Sequence, residues 1–283
     1  MNRRSPAAVL AALALAVTPL AASAQASLNN PNIPTGAGDA IFAVGEGGSL
    51  EPIAVRMRGK FINPGSTDGE PSAKLRMESN ASIATGGNRV HVIFGGRIIA
   101  TVPAKVENGA ATLTIPPSLH LSGNVNALAS PTLGGHAKTP RRAPTPSERT
   151  AALALAAKTL GAPSLAKLEV RNLTAIDLGH GPTIIGTVNL RGAGARRTDK
   201  RLFLIAENVG GTLHPTLTNI QRITVTEPLL EEPAEYLVDA VDLGDGTLSV
   251  VTRIIGYDAH TYAIYSRSKT GWKNVYTGGG VAL

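Results

Sequence analysis

The chain of 283 residues contains no cysteine, so no disulfide can stabilise it in any compartment. Stability must therefore come from burial alone, and the chain is long enough for one large domain or two small ones. Aromatic residues make up only 4% of the sequence, and the net charge of +7 is scattered along it. A nucleic-acid surface would need a dense basic stripe with interleaved aromatic residues, so we expect no nucleic-acid partner.

A long apolar run is also missing. The run Ala7–Val17 has 11 residues, which is too short to cross the roughly 30 Å of hydrocarbon in a bilayer. Arg3 and Arg4 precede this run, and the small residues Ala22–Ala24 follow it as a cleavage site. Together they predict a signal peptide at residues 1–24 and an exported protein, periplasmic or extracellular, with no membrane span. An uncleaved anchor is the alternative.

Motifs that carry catalysis are absent as well. The sequence has no G-x-S-x-G, H-E-x-x-H, C-x-x-C or phosphate-binding loop. None of the six His stands two or four positions from another, so local spacing predicts no zinc pair. We therefore favour a non-enzymatic protein that binds a protein or an envelope glycan. The alternative is a secreted hydrolase whose acidic catalytic residues come from distant positions.

Short apolar runs alternate with Gly, Pro and Asn from residue 39 onward. The clearest pair is RVHVIF (Arg89–Phe94) and RIIATV (Arg97–Val102), which flank Gly-Gly and predict a β-hairpin. A second series of such runs lies between residues 168 and 276. The sequence predicts a mainly β protein with two antiparallel β-rich regions, each a small sheet or barrel, joined by a Pro-rich linker and one α-helix.

The helix is marked by its ends. Thr145 can cap it, Glu148 stands three residues later to complete a capping box, and Gly161 supplies the left-handed stop. The preceding residues are rich in Pro and contain Arg141 and Arg142, so they predict an exposed, protease-sensitive linker.

These signals together define the expected organisation after the signal peptide. We expect a flexible tail at residues 25–38, an N-terminal β domain at 39–130 and the linker at 131–145. A C-terminal domain at 146–283 then combines the helix with a β region that contains two related hairpin units.

The two hairpin units are indicated by an internal repeat. TAIDLGHGPTIIGTV (Thr174–Val188) and DAVDLGDGTLSVVTR (Asp239–Arg253) share Asp-Leu-Gly, a polar residue, Gly and an apolar strand. Their leading residues, Asp177 and Asp242, lie 65 positions apart. The two loops resemble those of FG-GAP and VCBS β-repeats, a resemblance that covers about 30 residues.

The resemblance implies calcium, with Asp239, Asp242 and Asp245 as candidate ligands. The second loop lacks the middle Asp of the family pattern, and Ser249 stands where the pattern has Glu. Calcium takes about six to eight oxygen ligands, so a complete site is not evident. We predict that the loop is chiefly a turn, in which Asp242 accepts backbone N–H groups, and keep weak calcium binding as the alternative. We expect no metal at Asp177, and the sequence indicates no other cofactor.

Every Tyr lies between Tyr236 and Tyr276, and the single Trp is Trp272. These aromatic residues predict either a carbohydrate-binding face or strands that pack against one another. We favour packing, because aromatic residues are common in strands for that reason.

Overall fold

The structure is a computed structural model that describes residues 38–63, 65, 70–119, 126–194, 197–225, 234–256 and 258–281. All of these residues belong to one compact unit. The predicted signal peptide, and the predicted tail apart from Gly38, lie outside the described residues. No helix in the described ranges is long and apolar enough to span a membrane.

The protein is mainly β, as predicted, and 56% of the residues that the structure describes are in strands. The strands are β1 (Asp39–Val44), β2 (Ser49–Met57), β3 (Lys60–Phe61), β4 (Arg89–Phe94), β5 (Arg97–Glu107), β6 (Ala110–Leu113), β7 (Leu128–Ser130), β8 (Leu168–Asp177), β9 (Pro182–Leu190), β10 (Arg197–Val209), β11 (Thr212–Val225), β12 (Ala234–Asp242), β13 (Leu248–Ile255), β14 (His260–Ser268) and β15 (Gly271–Gly278). The α-helices are α1 (Ala73–Thr85) and α2 (Pro146–Leu160).

The first seven strands form a barrel-like sheet. Six of them follow the order β1-β7-β4-β5-β6-β2, and pairing between β1 and β2 closes the circle, while β3 is added to β2. Val90 and Val92 alternate with His91 along β4 and are buried with Phe42, as the period of two predicts. The predicted Gly-Gly hairpin is β4–β5, with Phe94 paired to Arg97.

Helix α1 packs on β1 and β2, and the sequence analysis did not predict it. Ser72 caps it by accepting a hydrogen bond of 3.1 Å from the N–H of Leu75. Its buried residues are Leu75, Ser79, Ser82 and Ile83. Two of the four are serines, so the buried face has helical spacing but no continuous apolar stripe.

The remaining strands form two four-stranded antiparallel sheets. Their orders are β11-β10-β9-β8 and β12-β13-β14-β15, so each consists of strands that are consecutive in the chain. The first two strands of each sheet in chain order, β8–β9 and β12–β13, form one copy of the predicted hairpin. Phe203 and Ile205 of β10 pack in one apolar cluster with Tyr265 and Trp272 of the second sheet. Leu202 and Leu204 alternate with these two residues along β10, so they point to the opposite face of the sheet.

Helix α2 covers that opposite face through Ala156 and Leu160. The predicted capping box is confirmed: the Glu148 carboxylate accepts from the Thr145 N–H at 2.7 Å, and the Thr145 hydroxyl accepts from the Glu148 N–H at 3.3 Å. Gly161 ends the helix with a positive φ of 69°, also as predicted.

The segment predicted as an exposed linker contacts the sheets at several points, while residues 138–140 and Arg142 are exposed. Leu133 and Ala137 are buried, and Arg141 is half-buried. Gly134 forms a β-bridge with Asp242 of β12, and Arg142 forms one with Ala175 of β8. We call residues 133–142 the strap, because they join the edge strands of the two four-stranded sheets.

The strap pairs with the two sheets for a physical reason. Edge strands carry backbone N–H and C=O groups that need partners, and the strap supplies some of them. In addition, Ile41 and Leu128 of the barrel-like sheet share one buried cluster with Val241 and Val251 of the last sheet. The two predicted β regions are thus not separated by a free segment.

Candidate functional site

The two Asp-Leu-Gly loops have the same hydrogen-bonding geometry. The Oδ1 atom of Asp177 accepts from the N–H groups of the second and fourth following residues at 2.8 and 3.1 Å. The Oδ1 atom of Asp242 does the same at 2.7 and 3.1 Å. All four donors are glycines with positive φ. The predicted turn role of Asp242 is confirmed, and the internal repeat corresponds to two equivalent hairpins.

The three candidate calcium ligands do not come together. Asp242 and Asp245 share the exposed loop, whereas Asp239 is fully buried and bonded to the β4–β5 turn. No group of three or more metal-binding side chains occurs in the described part of the chain. Calcium binding by the loop stays a prediction.

Asp245 and Arg56 lie close together at the loop. Partial burial would raise the pKa of Asp245, but hydrogen bonds from the Thr247 hydroxyl and N–H, together with nearby Arg56, hold the pKa below its usual value. The Arg56 guanidinium also donates to the carbonyl oxygen of Leu243. Arg56 also pairs with Asp39 at 2.9 Å, so it is shared between the loop and β1.

Asp239 connects β12 to the barrel-like sheet. Its Oδ2 atom accepts from the Gly95 N–H at 2.7 Å, and its Oδ1 atom accepts from Gly96 at 2.7 Å and Ala240 at 2.8 Å. Burial raises the pKa of Asp239 to about 7, although Arg141 and the three N–H donors act in the opposite direction. A carboxyl group with this many partners holds the junction together and is not free to bind a ligand.

Arg141 of the strap completes this junction. Its guanidinium lies 4.6 Å from the centre of the Phe94 ring and donates to the Val238 carbonyl at 2.6 Å. Burial lowers the pKa of Arg141, and Asp239 offsets part of that effect. The side chain predicted to be an exposed trypsin site therefore anchors the strap.

A cavity of about 310 Å³ lies between the two four-stranded sheets, and we call it the inter-sheet cavity. Side chains from four strands line it, among them Arg201, Phe203, Asn219, Gln221, Glu235 and Ile254. The β10–β11 register places Arg201 opposite Gln221 and Phe203 opposite Asn219, so these four side chains project from one face of the sheet.

Glu235 is the titratable acid in this cavity wall, and it is only 3% exposed. Its Oε1 atom accepts from the Thr252 hydroxyl at 2.6 Å and from the Tyr265 hydroxyl at 2.8 Å. Burial raises its pKa, and these two hydrogen bonds oppose the rise. Its backbone is held as well, because the Thr187 hydroxyl donates to the Glu235 carbonyl at 2.6 Å. The carboxyl group is therefore fixed in orientation.

The aromatic side chains pack rather than form an exposed face. Tyr262, Tyr265, Tyr276 and Trp272 are all at most 6% exposed. Each finds a polar partner; the Trp272 Nε1–H, for example, donates to Glu207 at 2.9 Å. The packing interpretation is confirmed for these four residues.

The buried glutamates that these aromatic residues contact were not among the predicted site residues. Glu207 and Glu235 are separated from Trp272 and Tyr265 by 65 and 30 positions, so local spacing could not pair them. A signal was nevertheless present for Glu207, which directly follows the apolar run Leu202–Ala206.

Comparisons with protein-family models, with curated proteins and with solved structures found no match. The fold and the cavity define the chain as a β-protein that joins a barrel-like sheet to two four-stranded sheets, with a lined cavity between the latter.

Proposed function

We propose that the protein is an exported, non-enzymatic β-protein, periplasmic or extracellular, that binds an envelope glycan in the inter-sheet cavity. The predicted signal peptide supports export. The observation that supports glycan binding is the combination of Phe203 with amide, guanidinium and carboxyl side chains in one cavity.

Sugar rings present apolar C–H surfaces and hydroxyl groups that both donate and accept hydrogen bonds. Phe203 and Ile254 offer apolar contact, while the amides of Asn219 and Gln221 can both donate and accept. Arg201 adds donors to the same wall. Mostly apolar cavities with a few fixed polar groups are the usual form of small-molecule sites.

The size of the cavity limits the ligand. Small-molecule sites occupy about 300–1,000 Å³, and the inter-sheet cavity, at about 310 Å³, lies at the lower end of that range. A cavity of this size favours one or two sugar rings, such as the end of a longer chain.

The same cavity favours binding over hydrolysis. Glycosidases place two carboxyl groups on either side of the scissile bond. Among the described residues that line the inter-sheet cavity, Glu235 is the single acid, and its Oε1 atom already accepts two hydrogen bonds. The secreted hydrolase therefore remains the second candidate.

Titration of the mature protein with soluble di- to tetrasaccharide fragments of envelope glycans tests the proposal by calorimetry. We expect Asn219→Ala and Gln221→Ala to weaken binding at least tenfold. Thr218→Ala is the matched control, since Thr218 projects from the other face of the same strand.

Two outcomes would overturn the proposal. One is binding that is equal in all three variants, and the other is the absence of binding by the wild-type protein. Mass spectrometry of the same mixtures addresses the second candidate, because shortened fragments would show hydrolysis.

A further inference from the structure

The inter-sheet cavity contains one acceptor atom that the protein leaves open. Both hydroxyl donors of Glu235, from Thr252 and Tyr265, bond to Oε1. Among the described residues no donor reaches Oε2, although Glu235 is only 3% exposed. Oε2 is not fully enclosed, so it is open to the cavity that Glu235 lines. Because buried polar atoms are almost always hydrogen-bonded, this atom indicates a ligand that brings a donor.

An apolar side chain stands directly beside this acceptor. Ile254 is paired with Glu235 in the β12–β13 register, so the two side chains project from the same face, with Cβ atoms about 4.5–5.5 Å apart. Ile254 is half-buried and lines the same cavity. This wall therefore offers a hydrogen-bond acceptor next to an apolar contact.

The wall that belongs to the other four-stranded sheet offers donors. Asn219 and Gln221 stand two positions apart on β11, about 7 Å along the strand, and both side chains are exposed. Each side-chain amide carries an NH₂ group that can donate. Arg201, the other charged side chain of the lining, already has a partner. The amides of Asn219 and Gln221 are thus the polar groups of this wall that face a ligand.

An acetylated amine matches both walls at once. A secondary amide is planar and trans, so its N–H and C=O point in opposite directions. In an acetamido group the methyl lies on the same side of the C–N bond as the N–H. The N–H and methyl can therefore meet Glu235 and Ile254 together, while the carbonyl oxygen faces the amides of β11. A plain sugar hydroxyl can reach the acceptor but brings no apolar group to Ile254.

We propose that the glycan bound in the inter-sheet cavity carries an N-acetylated amino sugar, recognised through its acetamido group. The acetamido N–H donates to Oε2 of Glu235, its methyl group packs on Ile254, and its carbonyl oxygen accepts from Asn219 or Gln221. This inference rests on the glycan binding proposed above and adds the class of sugar. The ligand is uncharged, so its selection depends on hydrogen-bond direction and apolar contact.

The test compares two disaccharides that differ only in the substituent at C2, N,N′-diacetylchitobiose with acetamido groups and cellobiose with hydroxyl groups. Calorimetry of the mature protein is carried out at pH 8, because burial raises the pKa of Glu235 and the ionised carboxylate is the acceptor. We expect diacetylchitobiose to bind at least tenfold more tightly than cellobiose.

The outcomes separate this inference from the proposal on which it rests. Cellobiose that binds as tightly as diacetylchitobiose, or more tightly, would overturn the inference and leave glycan binding in place. If no glycan fragment binds at all, the proposed function fails, and the inference fails with it.

Glu235→Gln should remove the preference for diacetylchitobiose. The hydroxyls of Thr252 and Tyr265 keep the amide oxygen at the position of Oε1, so an NH₂ group takes the place of Oε2 and cannot accept. Glu46→Gln is the matched control, because it makes the same change in net charge at an exposed position outside the cavity. Equal effects of these two variants on the preference would contradict the inference.

A second variant tests the apolar contact without a change of charge. Ile254→Ala should weaken binding of diacetylchitobiose several-fold and leave cellobiose binding unchanged, because only the acetamido methyl group contacts Ile254. Thermal unfolding of each variant shows that it is folded under the conditions of the titration. An equal loss of affinity for both disaccharides in Ile254→Ala would overturn the assigned orientation of the acetamido group.

Discussion

The carboxyl group of Asp239 accepts a hydrogen bond of 2.7 Å from the backbone N–H of Gly96, which lies 143 positions earlier in the chain. This bond joins β12 to the β4–β5 turn. Separation of the two would leave a buried donor and a buried acceptor without partners, which costs about 1–3 kcal/mol for each group. Polar contacts thus reinforce the apolar junction between the barrel-like sheet and the two four-stranded sheets.

Replacement of Asp239 should therefore destabilise the whole protein. We expect Asp239→Ala to lower the free energy of unfolding by about 3 kcal/mol at pH 5, because the N–H groups of Gly95 and Gly96 lose their acceptor. Urea denaturation followed by Trp272 fluorescence measures the change. Asp258→Ala, at an exposed position, is the control and should stay within about 0.5 kcal/mol of the wild type. Equal stabilities of the two variants would contradict this role.

The raised pKa of Asp239, about 7, predicts how stability depends on pH. The folded protein holds this proton more tightly than the unfolded chain, so the contribution is complete below the unfolded pKa and is lost as the pH rises towards 7. The slope is at most about 1.4 kcal/mol per pH unit. Asp239→Asn mimics the protonated acid and should remove this slope. Denaturation of the wild type and of Asp239→Asn between pH 4 and 8 tests this prediction. If the free energy of unfolding depends on pH in the same way in both proteins, Asp239 does not titrate in this range.

Gly96 should tolerate no side chain. Its φ is 71°, and an added Cβ would lie 2.8 Å from the Ala137 Cβ, so Gly96→Ala combines backbone strain with a clash against the strap. We expect a loss of about 3 kcal/mol. Gly210 has a φ of 59° and open space around it, so Gly210→Ala should cost only the backbone strain, about 1 kcal/mol. Thermal unfolding of the two variants separates the effects, and similar melting temperatures would argue against a packed strap.

The equivalent loops should respond alike to loss of their leading acid. We expect Asp177→Ala and Asp242→Ala each to cost about 1–2 kcal/mol, with calcium or with EDTA, because each removes an acceptor for two backbone N–H groups. Melting in millimolar calcium and in EDTA is the measurement. A calcium-dependent rise that disappears in Asp242→Ala and Asp245→Ala would instead identify a working calcium site.

The strap should resist trypsin under native conditions. Arg141 donates to the Val238 carbonyl, and Arg142 pairs with Ala175 through backbone bonds of 2.8 and 2.9 Å, so neither peptide bond is free to enter a protease. We expect cleavage after these residues only in urea concentrations that unfold the protein. Mass spectrometry of timed digests identifies the products. Two stable native fragments that meet at Arg142 would restore the linker interpretation.

Much of the fold could be predicted from the sequence because its signals are local. The β4–β5 hairpin follows from alternation around Gly-Gly, and α2 follows from Thr145, Glu148 and Gly161. The repeat of Asp177 and Asp242 also predicted two hairpins, since each loop depends on its own glycines. Helix α1 escaped prediction because Ser79 and Ser82 occupy half of its buried positions.

The candidate sites could not be predicted in the same way. The inter-sheet cavity brings Glu235 to residues of β10 and β11, and Glu51 contacts His260, which lies 209 positions away. Neither pairing leaves a trace in spacing or composition.

The sequence by itself determined the strands, the capped helix and the turns, because alternation, capping and positive φ act between residues a few positions apart. Only the tertiary structure decided that residues 133–142 are a strap and that Asp239 belongs to the β4–β5 turn instead of the Asp242 loop. The physical reason is that the unpaired backbone groups of edge strands and buried carboxyl groups are satisfied by whichever partners the packing brings near, at any distance along the chain.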